Sequence, residues 1–425
     1  MRGIFPNEIW YMSSLEFLDL KRNEISGTIP SSFSKLTSLN FIDLRDNQIV
    51  GTIPDWFGST LTNLKVLALS NNKLTGTIPD TMGELVLLKT LALASNSFDG
   101  NIYMVNSLTN LEYLYLSDNE LTSKVDDTFL ENCTVLIQLD VSDNFLAGFF
   151  PEALLNHPTL NILDMHDNDL RGSFPDINST NIVLSFLSLY DNILTGTIST
   201  TISQLTNLSH LDLTGNELTG IIPSSFRDMK QLTYLILSDN FFDMGTIPDF
   251  FGEMNLLREL GLAHTNRTGS IPPWLKNLTK IVFLDLSDNS MSGAIPDFVG
   301  TLTNLEYLLL NRNDFNGTIP SEFQALTHLK MLLLDKNSVK GDLQNICDKE
   351  HLKITFLTAD CVGPAGDVSC PVDCCSLCCE DTNLTCNDDF LYNNQDSGWE
   401  YDYVQNSYSF SPNILLPQTP KTRRK

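Results

Sequence analysis

One asparagine-containing pattern recurs along most of the chain and limits it to an elongated, repetitive fold. The pattern is L-x-x-L-x-L-x-x-N-x-L-x-G-x-I-P, with a spacing of about 24 residues. Its asparagine occupies positions 23, 47, 72, 96, 119, 144, 168, 192, 216, 240, 289, 313 and 337, and Thr265 takes that position in one further copy. We therefore expect stacked coils that each contact only their neighbours.

Each position of the pattern has a physical role in such a coil. The alternation Leu18-Asp19-Leu20 points two leucines inwards and one residue outwards, which predicts a short strand. The amide of Asn23 can satisfy backbone groups that a buried turn leaves unpaired. Gly27 permits a tight turn, Ile29 fills the core and Pro30 limits backbone pairing on the return side. The sequence thus predicts an α/β repeat solenoid, a right-handed superhelix with a parallel β-sheet on its concave face.

We predict three regions along the chain. The solenoid covers residues 1–360, with about fourteen coils and a degenerate last one; a Cys-rich cap covers 361–386, and a disordered tail covers 387–425. Because Gly3-x-Phe5-Pro6 matches the second half of a repeat, the N-terminus is expected to be cut in mid-repeat, without its signal peptide and cap. In the last coil, Leu352, Leu357 and Asp360 are assigned to positions 8, 3 and 0 residues before a fifteenth ladder position.

One stretch of the array, residues 240–270, departs from the pattern. Thr265 replaces the ladder asparagine, and Arg267 follows at a position that is apolar in regular coils. The preceding turn carries one extra residue before Ile247. We predict a locally weakened coil, which reflects either repeat decay or a surface shaped for a partner.

The charge balance restricts the classes of partner. With 52 acidic and 26 basic residues the formal net charge is −26, which repels nucleic acid and anionic membrane surfaces. No run of about 18 apolar residues occurs, so no transmembrane segment is predicted.

Eight of the nine cysteines lie between residues 347 and 386. Cys375 and Cys378 have a spacing that suits zinc, but adjacent Cys-Cys pairs crowd a tetrahedral site. An even number of cysteines after the last coil favours a disulfide-bonded cap, formed by Cys347, Cys361, Cys370, Cys374, Cys375, Cys378, Cys379 and Cys386. Cys133 takes a leucine position in its coil and is predicted to pack as a core residue, rather than to be a reactive thiol.

Seven N-x-S/T sequons predict glycosylation, at Asn132, Asn178, Asn207, Asn266, Asn277, Asn316 and Asn383. Asn132, Asn207 and Asn277 each precede a buried coil position and are therefore expected to point outwards. The sequons and the cysteines together predict an extracellular or cell-surface glycoprotein.

The outward columns of the predicted strands carry the candidate binding residues. Half of the first column is aromatic, and these rings either anchor a partner or pack on neighbouring strands. Aspartates are concentrated in the middle of the array, where they either attract a basic partner or are simply part of the repeat consensus. The predicted partner-binding residues are Tyr113, Tyr115, Asp140, Asp164, Phe186, Tyr190, Asp212 and Tyr234.

No catalytic site, cofactor or metal site is predicted. Aspartate pairs that could hydrolyse a glycoside recur in many coils, so no pair is distinguished from the others. His166, His210 and His264 face one surface but lie two coils, roughly 10 Å, apart, which is too far to share a metal ion. Nucleotide-binding, kinase and serine-hydrolase motifs are absent from the sequence.

The segment Leu284-Asp285-Leu286-Ser287-Asp288-Asn289-x-Met291-x-Gly293-x-Ile295-Pro296 resembles the GxIP type of plant leucine-rich repeat. Similar repeats form the ectodomains of receptor-like kinases and receptor-like proteins, and the inhibitors of secreted polygalacturonases. The block Cys374-Cys375-x-x-Cys378-Cys379 is similar instead to the C-terminal cysteine block of diatom leucine-rich-repeat proteins. The resemblance implies a leucine-rich-repeat superhelix that binds peptides, glycans or proteins on its concave side.

Three functions are compatible with the sequence. The first is a non-enzymatic, receptor-like or secreted scaffold that binds a protein, peptide or glycan on the concave face, with a role in signal transduction. The second is an inhibitor of a secreted cell-wall hydrolase. The third is a structural component of a wall or matrix.

Overall fold

The structure, a computed structural model, describes residues 2–178, 183–343, 354, 356–362, 368–369 and 377–380. Sixteen short strands, here called the concave sheet, pair in parallel and in chain order, which confirms the predicted solenoid. They are Phe17–Asp19, Phe41–Asp43, Val66–Ala68, Thr90–Ala92, Tyr113–Tyr115, Gln138–Asp140, Ile162–Asp164, Phe186–Ser188, His210–Asp212, Tyr234–Ile236, Glu259–Gly261, Phe283–Asp285, Tyr307–Leu309, Met331–Leu333, Phe356–Val362 and Leu377–Glu380.

Further strands follow the ladder positions and form three shorter parallel sheets, here called the flank sheets. The first contains Arg2–Ile4, Glu24–Gly27, Gln48–Gly51, Lys73–Thr77, Ser97–Gly100 and Glu120–Leu121. The second contains Lys124–Val125, Ala147–Phe149, Asp169–Ser173, Ile193–Thr197, Glu217–Gly220 and Phe241–Phe242. The third contains Thr268–Gly269, Ser290–Ala294, Asp314–Thr318, Ser338–Asp342 and Val368–Ser369.

Short helices close most coils, and the proline of the repeat usually stands directly before them, where its fixed φ suits a helix start. Ten are 3-10 helices, at Asn7–Tyr11, Ser31–Lys35, Asp80–Glu84, Tyr103–Ser107, Thr200–Gln204, Ser224–Asp228, Asp249–Glu253, Pro273–Asn277, Asp297–Thr301 and Ser321–Ala325. Two are α-helices, at Trp56–Thr60 and Glu152–Leu155. None of the helices formed by the described residues has the length and apolar character needed to cross a bilayer.

The asparagine ladder predicted from the sequence is present, and one coil illustrates it. The side-chain amide of Asn47 donates to the carbonyls of Leu44 and Arg45 in its own coil, at 3.0 and 3.1 Å. It also donates to Leu20 of the preceding coil at 3.0 Å, while its oxygen accepts the amide hydrogen of Ile25 at 2.9 Å. The ladder thus joins a coil to the one before it. Leaving one such buried group unpaired would cost about 1–3 kcal/mol, so these bonds stabilise the stacking of the coils.

The first and last coils test the sequence assignments at the two ends. Arg2–Ile4 pairs with Glu24–Gly27 as a flank strand, which agrees with the assignment of Gly3 to a repeat. At the other end, Leu357 pairs with Leu332, five residues before Asn337. The assignment of Asp360 to a fifteenth ladder position is therefore wrong by two residues. The carboxylate of Asp360 instead accepts hydrogen bonds from the backbone amides of Lys336 and Asn337, both at 2.9 Å.

The flank sheets are interrupted twice, at coils that lack the regular turn. In the coil of Asn119, Ser123 replaces the glycine that has a positive φ in regular coils, such as Gly27 at 80°. This interruption was not predicted from the sequence. The second lies between Phe241–Phe242 and Thr268–Gly269, where an isolated bridge from Gly245 to Arg267 takes the place of strand pairing; this agrees with the predicted irregular segment.

The irregular coil buries a charged side chain. Arg267 is 3% exposed, and its Nε donates to the carbonyl oxygen of Thr265 at 2.8 Å, while Nη2 donates to that of Asp243. Thr265 donates its hydroxyl to Leu262 O at 2.6 Å. A hydroxyl offers one hydrogen where an asparagine amide offers two, so the ladder is reduced at this coil.

The cysteine and sequon predictions have separate outcomes. Cys133 is buried and free; its thiol donates to Val105 O, and burial raises its pKa to about 11, as expected for a core residue. The sequon asparagines at 132, 178, 207, 266, 277 and 316 are exposed, which confirms the outward orientation predicted for three of them. Asn383, Leu352, Cys347, Cys370, Cys374, Cys375, Cys386 and the tail 387–425 lie outside the described residues. The backbones of Cys361, Cys378 and Cys379 belong to the last two strands of the concave sheet.

Candidate ligand-binding face

Four rows of side chains cover the concave sheet between the coils of Asn119 and Asn240, because the strands pair in exact register. The first row is Tyr113, Gln138, Ile162, Phe186, His210 and Tyr234, and the second is Tyr115, Asp140, Asp164, Ser188, Asp212 and Ile236. The third is Ser117, Ser142, His166, Tyr190, Thr214 and Ser238, and the fourth is Asp118, Asp143, Asp167, Asp191, Gly215 and Asp239. All eight predicted binding residues lie in the first three rows.

Stacking between coils organises the first row. The ring of His210 lies 4.1 Å from that of Phe186 and 3.8 Å from that of Tyr234, with 15° between the planes in both pairs. Burial lowers the pKa of His210 to about 3, so the imidazole is neutral at physiological pH. Of the two interpretations of the aromatic column, this stack favours packing between neighbouring strands.

Burial divides the predicted aromatic anchors. Tyr115 is 2% exposed and donates its hydroxyl to Gln138 at 3.0 Å, while Tyr234 is 5% exposed and donates its hydroxyl to Asp212 at 2.9 Å. Their rings therefore offer a partner little surface. Tyr113, Phe186 and Tyr190 are half-buried and remain accessible.

The second-row aspartates are largely held by their own neighbours. Asp140 accepts hydrogen bonds from the hydroxyls of Ser142 and Ser117 at 2.7 and 2.9 Å. Burial, and then the charge of Asp164, raises the pKa of Asp140 to about 6. Asp212 is 7% exposed and accepts from Thr214 at 2.6 Å as well as from Tyr234. Asp212 therefore contributes to the structure of the face more than to its accessible surface.

His166 lies among carboxylates of three rows. Its Nδ1 is 2.6 Å from Asp164 Oδ1, its Nε2 is 3.3 Å from Asp143 Oδ2, and its ring stacks on Tyr190 at 4.1 Å. Burial alone lowers the pKa of His166, but the charges and hydrogen bonds of Asp164 and Asp143 outweigh burial and raise that pKa well above its ordinary value. These two carboxylates therefore favour the protonated form of the imidazole.

Fourth-row aspartates supply the exposed charge of the face, although they were not among the predicted binding residues. Asp143 and Asp191 are exposed and Asp167 is half-buried. Burial, and then the charges of Asp167, Asp212 and Asp239, raises the pKa of Asp191 to about 6. Their backbone φ angles are 47–50°, a region that favours aspartate among side-chain-bearing residues.

A signal for this cluster was present in the sequence. The third row holds serine or threonine in the surrounding coils, but His166 and Tyr190 are large and polar. One ligand atom from each of Asp143, His166 and Asp167 lies within 4.8 Å of the others, a grouping that could hold a metal ion. The histidines were compared only with one another in the sequence, and a grouping of one histidine with the aspartates around it was not predicted.

Solved structures with this architecture include plant receptor ectodomains. The crystal structure of PEPR1-AtPEP1 matches with a TM-score of 0.76 and 30% identity, over 84% of this chain and 50% of that chain. The plant peptide hormone receptor RGFR1 in complex with RGF2 matches with a TM-score of 0.65 and 29% identity, over 84% and 65%. The ectodomain of the Arabidopsis receptor kinase HAESA, in complex with an IDA peptide hormone, matches with a TM-score of 0.63 and 28% identity, over 84% and 69%. The chain thus spans about half to two thirds of these proteins' lengths.

Sequence comparison gives the family. A search of curated protein sequences returns no significant match. Two family profiles, both described as leucine rich repeat, match consecutive parts of the chain, one at residues 9–49, 42–98, 109–170 and 183–242, the other at 231–254, 256–278, 280–302 and 304–326. Together the matches cover more than half of the residues. The chain belongs to the leucine-rich-repeat proteins.

Proposed function

We propose that this protein is a non-catalytic recognition scaffold that binds a protein or peptide along the concave sheet. The observation that carries the proposal is the continuous face of four rows, on which accessible aromatic side chains lie beside exposed carboxylates. Of the structures described above, RGFR1 is a peptide hormone receptor in complex with RGF2, and the HAESA ectodomain is in complex with an IDA peptide hormone. The third is the structure of PEPR1-AtPEP1. Their likeness in fold supports the same kind of ligand here.

We further propose that the protein acts outside the cell or at its surface. Exposed sequon asparagines and a cysteine-rich segment after the last coil support glycosylation and a disulfide-bonded cap. The resemblances to polygalacturonase inhibitors and to the cysteine block of diatom proteins are part of this proposal. Both resemblances rest on sequence motifs alone.

A peptide-display experiment tests the binding face. The protein is used to select from a library of random twelve-residue peptides, and the selected peptides are measured against variants. Replacing Tyr113, Ile162 and Phe186 by alanine removes accessible apolar surface from the first row, and we expect affinity to fall about tenfold or more. Tyr234 is left intact because its hydroxyl bonds to Asp212.

The flank sheets supply the matched control. Phe145, Phe149 and Phe241 are 56%, 60% and 58% exposed, and they lie in or beside flank strands. Replacing these three by alanine removes at least as much apolar surface but should leave peptide binding unchanged. Equal losses in the two triple variants, or a failure to select any peptide, would refute the proposed function.

A further inference from the structure

The middle of the concave face has an unbalanced charge. Its four rows contain eight aspartates and neither lysine nor arginine: Asp118, Asp140, Asp143, Asp164, Asp167, Asp191, Asp212 and Asp239. His166 lies among these carboxylates, 2.6 Å from Asp164 and 3.3 Å from Asp143. We name Asp143, Asp167 and Asp191, with His166 and Tyr190, the acidic centre. One imidazolium cannot neutralise this number of carboxylates.

Towards the ends of the array, the same rows carry their own cations. In the coil of Asn47, the third-row Arg45 forms two hydrogen bonds with the second-row Asp43, at 2.9 and 2.8 Å. In the coil of Asn313, the fourth-row Arg312 lies 3.4 Å from Asp288. These contacts demonstrate how a guanidinium fits against the rows of this sheet. The acidic centre has carboxylates like those in these pairs, but its rows contain no arginine to pair with them.

We infer that the acidic centre binds arginine or lysine side chains of an extended basic peptide. The inference rests on the proposed function and specifies the chemistry of its ligand. Cationic side chains of the peptide contact Asp143, Asp167 and Asp191, as Arg45 and Arg312 contact their own aspartates. The half-buried rings of Tyr190 and Phe186 pack against the apolar stems of those side chains.

The spacing of the coils sets a requirement on the peptide. Parallel strands lie about 4.8 Å apart, so carboxylates in three successive coils extend over about 10 Å. An extended peptide advances about 3.3 Å per residue, so three to four residues cover that distance. Two or more lysine or arginine residues within four consecutive positions are therefore expected.

Gly215 keeps the end of the acidic centre open. It occupies the fourth row next to Asp191, and a Cβ at this position would lie 2.0 Å from Asp191 Oδ1. Any larger residue would displace this carboxylate. The glycine therefore leaves Asp191 accessible to a ligand.

The same display selection tests the inference. We expect the selected peptides to contain basic pairs, that is, two or more lysine or arginine residues within four consecutive positions. The affinity of these peptides should fall about tenfold or more when Asp143, Asp167 and Asp191 are replaced by asparagine. The matched control is Glu84→Gln, Asp228→Asn and Glu253→Gln, which changes the net charge equally at exposed ends of three short helices. This control should bind within about twofold of the unchanged protein.

A second variant tests the contact without removing carboxylates. Thr214 follows Asp212 as Arg45 follows Asp43, so Thr214→Arg adds an internal guanidinium beside the acidic centre. We expect the affinity of the basic peptides to be about tenfold or more lower in this variant. Circular dichroism and thermal melting establish that both variants fold.

The outcomes separate this inference from the proposed function. Peptides that lack basic pairs, but lose affinity in the Tyr113, Ile162 and Phe186 variant, would overturn the inference and leave the function intact. Basic peptides that bind the aspartate variant normally would also overturn it. Binding that requires added Zn²⁺ and disappears with chelator would assign Asp143, His166 and Asp167 to a metal ion and overturn direct contact with the peptide. If no peptide is selected, both proposals fail.

Discussion

His210 is a titratable side chain held in an apolar stack. It lies between Phe186 and Tyr234 and is 7% exposed, and its burial lowers its pKa to about 3. In the unfolded chain the same imidazole binds a proton near pH 6.5. Below that pH, the unfolded state gains a proton that the folded state does not take up. Stability therefore falls as pH decreases from about 6.5 towards 3.

Replacing His210 by phenylalanine should remove this acid sensitivity while keeping an aromatic ring in the stack. Between pH 7.5 and 4.5, the variant should lose about 2 kcal/mol less of its unfolding free energy than the unchanged protein. Urea denaturation at the two pH values measures the difference. His328→Phe, at an exposed histidine, controls for the added phenylalanine. Equal acid losses in the His210 variant and the unchanged protein would rule out a buried neutral histidine.

Within a single coil, one threonine and one arginine change how the element is held together. Thr265 keeps a hydrogen bond to Leu262 O in its own coil. The buried guanidinium of Arg267 reaches carbonyls of Thr265 and Asp243 in place of the apolar contact made by Leu218 in the regular coil. In this coil a threonine thus replaces the ladder asparagine, and a buried guanidinium that donates to backbone carbonyls replaces an apolar side chain.

Two variants separate the loss of the ladder from the role of the guanidinium. Arg267→Ala leaves two carbonyls without their donor and should lower the unfolding free energy by about 2 kcal/mol. Thr265→Asn combined with Arg267→Leu restores the repeat and should raise it by about 1–2 kcal/mol. Thermal and urea unfolding measure both. A double variant less stable than the unchanged protein would mean that the irregular coil is already the better-packed arrangement.

The elements differ in how far the sequence predicts them. The period fixes strands such as Phe17–Asp19, because two inward leucines and a ladder asparagine leave one choice of register. It also identifies the coil of Thr265. It fails for Asp360, since a coil without the complete pattern can pair two residues away from the expected position.

The candidate site was less predictable for a physical reason. Spacing identifies which side chains face outwards, but not how rings and carboxylates from adjacent coils pack together. Tyr115 and Tyr234 therefore proved to be buried, whereas Asp143 became a partner of His166. Those contacts depend on side-chain rotamers, which a repeat pattern does not specify.

Among the described residues, the main hydrophobic core runs from Phe5 to Val368, and the two layers of strands around it differ in continuity. The concave sheet has no break in its strand order, whereas the flank strands form three separate sheets. Both interruptions occur where the glycine turn of the repeat is altered. Where a flank sheet is continuous, both it and the concave sheet hold neighbouring coils together. At the two interruptions, chiefly the concave sheet does so.

Hydrogen exchange should detect these interruptions. Amides of the terminal flank strands at Glu120–Leu121, Lys124–Val125 and Phe241–Phe242 should exchange faster than those of Asp169–Ser173, which pairs on both sides. Amides of Tyr113–Tyr115 and Tyr234–Ile236, in the concave sheet of the affected coils, should remain protected. Mass spectrometry of peptic fragments resolves these segments. Uniform protection along the flank would contradict the division into three sheets.

The ladder amides have a direction, since the ladder asparagines from Asn47 to Asn337 bond both to their own coil and to the preceding one. Every regular coil therefore presents its asparagine amide to the preceding coil, and a matching carbonyl oxygen and backbone amide to the following one. Duplicating or deleting a whole coil rejoins matching surfaces, while an insertion of half a coil does not. The length of the concave sheet can consequently change during evolution in whole units, with the chemistry of the remaining coils preserved.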